Sequence, residues 1–504
     1  MLTALALSFP AGLCATDPTA PKVRPNIIVI LADDIGYGDL SCYGAKLVQT
    51  PNLDRLASEG RRFSDAHSPA ASCTPSRRAL LTGRYSWRQP EGAHIAPGDE
   101  AITIKPGTFT LPEMLKRSGY KTGIVGKWHL GLGNEGGPDW NGEIKPSPLD
   151  LGFDHSFIMA ATGDRVPTVY IEDRHVVGLD PADPIRVSYR AKIGDEPTGA
   201  EHPELLKLKH THGHDMTIVN GVGRIGWMTG GRSARWTDED MADTFTKKAV
   251  EFLEREKDRP FFLYFATHNI HVPRVPNPRH LGRSQCGTRG DAIVELDESV
   301  GALMATLERL KLVENTLVIF SSDNGGIMDD GYEDVGNFDH PCNGTLRGYK
   351  GSLFEGGHRV PFIARWPGRI QPGTVCPQLT DFADFLPTAA ELSGAPVRSG
   401  IDGVSILPSL LGQTAGQQQR PYHYWEFYEQ GGRRALRQGD WKAIIQPWDG
   451  NLELYDLAND IGETNNLATQ RPEIAGRMRR LIDEAHRPDP NWKEPGRWPV
   501  QTTP

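Results

Sequence analysis

The sequence predicts an α/β protein: a large mixed, mostly parallel sheet between layers of helices, followed by a small α+β subdomain with a short antiparallel sheet. Residues 26–32, 260–266 and 316–320 are continuous apolar runs, which is typical of strands buried on both faces. Segments with apolar residues three and four positions apart separate these runs, and Ile293 to Leu310 is the clearest helix among them. Strands that alternate with helices favour a parallel sheet.

The character of the chain changes from about residue 378. One last helix of the main domain, Asp381 to Leu392, is followed by connecting chain and then by short stretches of alternating apolar and polar residues. Residues 441–445 and 452–457 predict strands of the short antiparallel sheet, and Glu473 to His486 predicts a closing helix. We therefore divide the chain into four parts: a leader at 1–20, a main domain at 24–395, a C-terminal subdomain at 396–487 and an irregular tail at 488–504.

Composition and charge exclude several classes of function. The 504 residues carry a formal net charge of −9, which argues against nucleic-acid binding, and no apolar run approaches the length of a membrane span. The apolar start of the chain predicts a signal peptide and hence an exported, periplasmic or extracellular protein, with a disordered extension as the alternative. The sequence leaves open the pairing of four cysteines: Cys42, Cys286, Cys342 and Cys376.

Oxygen-bearing side chains follow two of the buried strands. Asp33 and Asp34 come directly after the first run, and Asp323 and Asn324 follow the third. The carboxyl ends of parallel strands meet at one edge of the sheet, where open α/β sheets bind ligands. Because adjacent buried carboxylates need a positive partner, an all-oxygen donor set here predicts Ca²⁺ or Mg²⁺ rather than zinc. Solvated loop aspartates are the alternative.

Residues 72–84 predict a loop that leads into a short helix. Pro75 suits the first helical turn, and Gly83 suits the position just after the helix end. Cys73 would therefore lie at the helix N-terminus, with Arg77 one turn later on the same side. A thiol beside a cation at a helix start indicates a reactive group or an anion site. A buried, inert cysteine is the alternative.

The same stretch resembles the signature of type I sulfatases, in Cys73-Thr74-Pro75-Ser76-Arg77 and in Leu80-Leu81-Thr82-Gly83-Arg84. Residues 126–131, Gly-Lys-Trp-His-Leu-Gly, resemble a second motif of that family, and the resemblance extends from about residue 25 to about residue 467. It implies an alkaline-phosphatase-like fold and a sulfuric ester hydrolase, similar to bacterial carbohydrate sulfatases.

The resemblance also implies two groups that the sequence alone does not show. Cys73 would be oxidised after translation to formylglycine (3-oxoalanine), which makes a formylglycine-generating enzyme a partner in maturation. One Ca²⁺ per chain, rather than Mg²⁺, would be held by residue 73 and by the side chains at the strand ends: Asp33, Asp34, Asp323 and Asn324.

A sulfate ester is an anion, so its pocket needs cations, and three are available: Arg77, Lys127 and Lys350. In the mechanism that the resemblance implies, a hydroxyl of hydrated formylglycine attacks sulfur, and Asp323 accepts the proton. His271 or Lys350 would protonate the leaving alcohol, and His129 would take the proton when sulfate is expelled.

Two further stretches resemble carbohydrate sulfatases and predict substrate contacts. The first contains Asp164 and Arg165, similar to a pair that reads the axial hydroxyl of galacto-configured sugars, and the second contains Glu426. A carboxylate beside a guanidinium can bind one hydroxyl from both sides, although a loop salt bridge is the alternative. We expect exo-desulfation of galactose or N-acetylgalactosamine 6-O- or 4-O-sulfate. We also expect a supporting role for His268, and a substrate-facing wall rather than zinc for His214.

Two rival functions stay open at this point. A phosphonate or phosphodiester hydrolase of the same superfamily could carry the same signature. If Cys73 stays a thiol, the pocket would instead belong to a non-catalytic protein that binds sulfated glycans.

Overall fold

The computed structural model describes residues 24–88, 94–334, 339–428 and 432–487. The predicted leader and tail lie outside the described residues. The helices are α1 Pro51–Ser58, α2 Cys73–Thr82, α3 Leu111–Arg117, α4 Met241–Glu256, α5 Gly287–Arg309, α6 Glu355–His358, α7 Phe385–Ser393, α8 Leu407–Leu410 and α9 Pro472–Ala485.

The strands of the main domain are short outside the central sheet. They are β1 Asn26–Ala32, β2 Arg61–Phe63, β3 Ala66–His67, β4 Lys121–Lys127, β5 His155–Met159, β6 Tyr170–Glu172, β7 His175–Val176, β8 Arg186–Ser188, β9 Ile218–Val219, β10 Val222–Gly223, β11 Trp227–Thr229, β12 Phe261–Ala266, β13 Thr316–Ser322, β14 Phe362–Arg365, β15 Thr374–Cys376 and β16 Thr380–Asp381. The C-terminal strands are β17 His423–Phe427, β18 Arg433–Gln438, β19 Trp441–Ile445 and β20 Leu452–Asp456.

Ten of the described strands form one sheet in the order β15-β2-β14-β13-β1-β12-β4-β5-β6-β7. The five central strands, β13 to β5, run parallel, whereas β14 and β6 pair antiparallel on either side of them. The predicted large mixed, mostly parallel sheet is therefore confirmed. The three apolar runs form β1, β12 and β13, which lie side by side at its centre.

Each face of the sheet is covered by helices. Alternate residues of β1 face opposite ways: Val29 packs in the cluster that contains α2, α3 and α7 residues, and Ile30 packs in the cluster with α1, α4 and α5 residues. Burial of both faces explains why these strands are apolar at every position rather than at every second one.

The ends of α2 and α3 match the residues found there. Gly83 ends α2 with φ +66°, a left-handed conformation that glycine adopts readily. The Thr110 side chain caps α3 by accepting from the Glu113 N–H. Cys73 is the first residue of α2, as predicted.

The C-terminal subdomain is a four-stranded antiparallel sheet, β17 to β20, against which α9 packs. The predicted short antiparallel sheet is thus confirmed. No helix of the described residues is long and apolar enough to cross a membrane. No disulfide forms among the described residues. Their free cysteines are Cys42, Cys73, Cys286, Cys342 and Cys376.

Candidate active site

The site is built on the edge cluster, which we define as Asp33, Asp34, Asp323 and Asn324. Ala32 of β1 lies opposite Ser322 of β13, so the residues that follow these two leave the sheet side by side. The Asp34 backbone N–H donates to Asp323 Oδ1 over 3.3 Å, and Asn324 Nδ2 donates to Asp34 Oδ1 over 2.7 Å. All four side chains are buried, so the edge of the sheet gathers their oxygens in one place.

Two buried cations contact the carboxylates of the edge cluster from the α2 and β4 sides. Arg77, one helical turn after Cys73, donates from Nε to Asp323 Oδ2 over 2.9 Å. Lys127, the last residue of β4, places Nζ 2.8 Å and 2.7 Å from the two carboxylate oxygens of Asp33. The Arg77 guanidinium also donates to the Lys127 carbonyl over 3.2 Å, which links Arg77 to the end of β4.

A third cation comes from a glycine-rich loop. Lys350 Nζ lies 2.8 Å from Asp34 Oδ2 and 2.9 Å from Asp330 Oδ2. Burial of the ammonium group would lower the pKa of Lys350, but the carboxylates of Asp330 and Asp34 outweigh burial and hold that pKa well above its ordinary value. Asp330 was not predicted from the sequence. Its position five residues after Gly325, in the same loop that leaves β13, is the only signal that could have indicated it.

The edge cluster fits a hard divalent cation. Burial, with the nearby carboxylates of Asp323 and Asp34, raises the pKa of Asp33 to about 8 although Lys127 opposes the shift. Among the described residues no hydrogen-bond partner reaches the buried Asn324 Oδ1. Three carboxylates and an unpartnered amide oxygen form an all-oxygen donor set, which suits Ca²⁺ better than zinc.

Cys73 is buried beside these groups, with 1 % of its surface exposed. Burial raises the pKa of its thiol, although the charges of Lys127 and Lys350 act in the opposite direction. An unmodified Cys73 would therefore be a neutral thiol and a weak nucleophile. The start of α2 is fixed in place by Thr74, whose hydroxyl donates to the His129 carbonyl over 3.1 Å.

His129 is a neutral imidazole with one free acceptor. Its Nε2 lies 2.9 Å from the Ala96 carbonyl, which can only accept, so Nε2 carries the proton and Nδ1 keeps its lone pair. Within the described part of the chain, no partner reaches Nδ1. Burial and the charges of Lys127 and Arg165 lower the pKa of His129 well below its ordinary value. The side chain can therefore accept a proton.

His271 is held in a similar way. Its Nδ1 donates to the Val272 carbonyl over 2.8 Å, and its Nε2 lies 3.9 Å from Asp34 Oδ2. Burial and the charge of Lys350 lower the pKa of His271 well below its ordinary value. On the other side, Nδ1 lies 4.0 Å from Asp164 Oδ1, so His271 stands between the edge cluster and the predicted sugar-binding pair.

Asp164 and Arg165 form a contacting pair in the loop after β5. Arg165 NH1 donates to Asp164 Oδ1 over 3.1 Å, and the Thr162 hydroxyl donates to the same oxygen. His214 Nε2 lies 3.0 Å from Asp164 Oδ2. The structure thus brings together Asp164, Arg165 and His214, three of the five residues predicted to bind substrate, and Thr162 joins them without having been predicted.

The other two predicted substrate residues have different surroundings. The His268 ring packs against Phe245 of α4 with 5.6 Å between centroids, and burial lowers its pKa to about 4. Glu426 lies in β17, where its carboxylate accepts from Tyr424, Tyr428 and His486. No contact among the described residues joins Glu426 to the edge cluster. Their roles in substrate binding stay predictions.

Known proteins with similar sequences are sulfatases, as the motifs of the chain predict. Residues 25–395 match the family model described as sulfatase, and residues 349–487 match a model described as the C-terminal part of N-sulphoglucosamine sulphohydrolase. An N-acetylgalactosamine-6-O-sulfatase of Bacteroides thetaiotaomicron is 47 % identical over 482 residues, which cover 91 % of this chain and 93 % of the relative. Human arylsulfatase A is 34 % identical over 510 residues, which cover 95 % of this chain and 89 % of the relative.

Solved structures of a sulfatase and of a related hydrolase share the fold of this chain. A 6S-sulfatase from a study of glycosaminoglycan metabolism in Bacteroides thetaiotaomicron superimposes with a TM-score of 0.87 at 47 % identity, covering 92 % of this chain and 99 % of its own. A phosphonate monoester hydrolase of Agrobacterium radiobacter superimposes with a TM-score of 0.58 at 20 % identity, covering 91 % and 95 % of the two chains. At that identity the second likeness extends to the fold alone.

Proposed function

The chain belongs to the sulfatase family and hydrolyses sulfate esters, and from that premise we propose that its substrate is a galacto-configured sugar with a 6-O-sulfate. N-acetylgalactosamine 6-sulfate is the first candidate, because the Bacteroides relative with 47 % identity is named for that reaction. The side chains of the site are nearly all buried, which favours a pocket for one terminal sugar and therefore exo action on a glycan.

The observation that carries this proposal is the distance of 4.0 Å between Asp164 Oδ1 and His271 Nδ1. It places a carboxylate and guanidinium pair beside the reacting groups. In a galacto-configured sugar the axial O4 lies on the same face as C6, so a group that binds O4 is close to a sulfate on O6. A 4-O-sulfate would instead bring its own charge against the Asp164 carboxylate, which disfavours that position.

Sulfatases generally use Ca²⁺ and formylglycine, and we propose both for this chain. The edge cluster would hold the ion, which would draw electron density from a sulfate oxygen. Residue 73 would supply the nucleophilic hydroxyl after conversion of the thiol to a hydrated aldehyde. Because Cys73 is buried once the chain folds, the formylglycine-generating enzyme would act before folding. The leader at 1–20 would direct export, and the boundary between domains would lie near residue 396.

The other side chains of the site would neutralise the charge of the sulfate or transfer protons. Arg77, Lys127 and Lys350 would neutralise and orient the sulfate oxygens. His129 Nδ1, which no hydrogen-bond partner reaches among the described residues, would accept a proton when sulfate is released. Lys350, whose ammonium group lies beside Asp34, would give a proton to the leaving sugar oxygen. His271 Nε2 also lies beside Asp34 and is the alternative donor, but it would first have to gain a proton.

A panel of defined sulfated sugars tests the proposal. We expect sulfate release from N-acetylgalactosamine 6-sulfate with kcat/KM at least about 100-fold above that for the 4-epimer, N-acetylglucosamine 6-sulfate. The 4-sulfated isomer should react slowly, as should an oligosaccharide that carries the 6-sulfate only on an internal sugar. Equal rates on the two epimers would contradict the proposed substrate.

Two further measurements separate the rivals. A phosphodiester hydrolase would cleave an aryl phosphodiester at least as fast as an aryl sulfate, and we expect the opposite. A non-catalytic glycan-binding protein would keep the Cys73 thiol. Conversion to formylglycine instead lowers the mass of the peptide that contains residue 73 by about 18 Da, since the thiol is replaced by an aldehyde.

A further inference from the structure

His214 lies between two hydrogen-bond acceptors. Its Nδ1 is 3.0 Å from the His212 carbonyl oxygen, and its Nε2 is 3.0 Å from Asp164 Oδ2. A carbonyl can only accept, and a neutral imidazole has one N–H for its two nitrogens. Both contacts are hydrogen bonds only if His214 is an imidazolium, or if Asp164 carries the missing proton.

The second arrangement is disfavoured by the other contacts of Asp164. Its carboxylate also accepts from the Thr162 hydroxyl and from Arg165. Burial alone would raise the pKa of Asp164, but Arg165 and His214 hold it well below its ordinary value. Asp164 is therefore the ionised partner, and the proton belongs to His214.

The imidazole ring is fixed in this position by its neighbours. His214 has φ +56°, and Gly331 packs so closely that a Cβ there would lie 2.2 Å from His214 Nδ1. The Tyr332 ring lies 4.5 Å away between centroids. Little space is left for the ring to turn and exchange one acceptor for another.

We propose that His214 is a positioning residue whose imidazolium fixes the second oxygen of Asp164 and thereby orients the Asp164–Arg165 pair toward the axial hydroxyl of the sugar. The inference rests on the proposed function and deepens it. Loss of the Nε2 proton turns a lone pair toward the Asp164 carboxylate, and the repulsion moves the carboxylate away from the sugar. Selectivity for the galacto epimer is therefore lost as the pH rises through the pKa of His214.

The charged groups around His214 set the direction of its titration. Burial lowers its pKa, but the bond to Asp164 outweighs burial and the opposing charge of Arg165, so the pKa lies above its ordinary value. His271 reaches the other Asp164 oxygen at 4.0 Å, and the exposed His212 ring is 6.5 Å away. The remaining charged and titratable neighbours bond elsewhere: Arg224 to Asp238 and the Tyr332 hydroxyl to the Gly223 carbonyl.

The ratio of kcat/KM for N-acetylgalactosamine 6-sulfate to that for N-acetylglucosamine 6-sulfate isolates this effect. A sulfate monoester stays fully ionised across the assay range, so the substrate itself contributes no pH dependence. The catalytic groups act on both epimers, and their titration cancels in the ratio. For the wild type we expect the ratio to be constant at low pH and to fall above the ordinary histidine range, about pH 6.5, by at most about tenfold per pH unit for one proton.

His214→Gln and His212→Gln form a matched pair of variants. A glutamine at 214 does not titrate, so we expect its ratio to be about five- to tenfold lower than that of the wild type at low pH and independent of pH. His212 is exposed, and its ring does not touch Asp164 in the structure, so His212→Gln should keep the wild-type profile. If His214→Gln fails to fold, ¹⁵N NMR of histidine-labelled wild type gives the second reading. One buried imidazole should then show two protonated ring nitrogens near neutral pH.

The outcomes separate the inference from the proposed function. A galacto preference that does not change with pH, or a His214→Gln variant that keeps the fall at high pH, overturns the role of His214 and leaves the proposed function standing. Absence of doubly protonated imidazole at neutral pH has the same consequence. A wild type with no galacto preference at any pH overturns both.

Discussion

Two buried clusters in this protein both contain carboxylates in contact with a lysine, and they differ in what they can do. The first is the edge cluster of Asp33, Asp34, Asp323 and Asn324. The second, which we call the junction cluster, contains His67 with the α6 residues Glu355 and His358 from the main domain, and Lys442 and Glu463 from the C-terminal part. At each place three ligand atoms lie close enough together to hold a metal ion: those of Asp33, Asp34 and the neighbouring His271, and those of His67, Glu355 and His358.

The junction cluster already has a cation at its centre. Lys442 Nζ lies 2.8 Å from Glu355 Oε1, 2.9 Å from Glu463 Oε1 and 3.1 Å from His358 Nε2. His358 in turn lies 3.0 Å from His67, Nδ1 to Nδ1. The ammonium group occupies the position that a metal ion would need, so these residues join two parts of the chain instead of binding a ligand.

The edge cluster differs because its cations are also the groups that a sulfate needs. Arg77, Lys127 and Lys350 contact its carboxylates, and the buried Asn324 Oδ1 lacks a hydrogen-bond partner among the described residues. If a divalent cation were bound by the carboxylates of the edge cluster, Arg77, Lys127 and Lys350 would be available to bind an anionic substrate. The comparison indicates that a buried charged cluster becomes a reactive site when its own counter-ions can be shared with a ligand.

The largest expected effect is the loss of activity on replacing Cys73, which lies beside the edge cluster. We expect no accompanying loss of stability. Cys73→Ala should lower kcat by about 10⁴-fold or more, because it removes the proposed nucleophile, whereas the unfolding midpoint should barely change. Cys376→Ala is the matched control: Cys376 is also buried and free, but lies in β15, and full activity is expected. Turnover by Cys73→Ala near the wild-type rate would contradict the assigned nucleophile.

The junction should respond in the opposite way. Lys442→Met leaves Glu355 and Glu463 buried without their cation, so we expect the free energy of unfolding to fall by about 3–5 kcal/mol. Denaturant unfolding measures this change. Lys247 is 77 % exposed, and Lys247→Met should cost about 0.5 kcal/mol or less. A Lys442→Met protein as stable as the wild type would mean that the junction cluster does not stabilise the fold.

Calcium should stabilise the protein through the edge cluster alone. At a free Ca²⁺ concentration of a hundred times its Kd, the free energy of unfolding should rise by about 2.7 kcal/mol over the chelated protein. Asp33→Asn should reduce this gain, and Glu463→Gln at the junction should keep it. If the stabilisation by Ca²⁺ persists in Asp33→Asn and disappears in Glu463→Gln, the ion binds at the junction cluster and the proposed difference between the two clusters is wrong.

The sequence predicts the edge cluster better than the contacts around it. Strand β1 ends where its apolar run ends, at Ala32, and parallel pairing then brings Asp33 close to Asp323 although 290 positions separate them in the chain. No such rule links His214 to Asp164, because their contact depends on how the loops after β5 and before β9 fold. The sequence offered only alternating histidines there.

The contacts of Glu426 were not evident from its motif. The resemblance of residues 425–430 to carbohydrate sulfatases predicts a substrate contact for Glu426, which stays a prediction. Side chains two positions apart along an extended chain lie on the same face, so Tyr424 in β17 and Tyr428 just after it reach the Glu426 carboxylate. This carboxylate therefore already has donors from its own segment.

The last expected effect concerns the buried imidazole of His67 in the junction cluster. Burial lowers the pKa of His67 to about 4, so below about pH 6.5 the unfolded chain binds a proton there that the folded chain does not. Stability should therefore fall as the pH falls from about 6.5 to 4, with His67 contributing a slope of up to about 1.4 kcal/mol per pH unit. His67→Gln removes a hydrogen bond as well, which shifts the whole curve. The test is therefore the slope of the free energy of unfolding against pH, measured by urea unfolding between about pH 6 and 4.5. We expect this slope to be shallower for His67→Gln than for the wild type, and parallel curves for the two proteins would contradict the prediction.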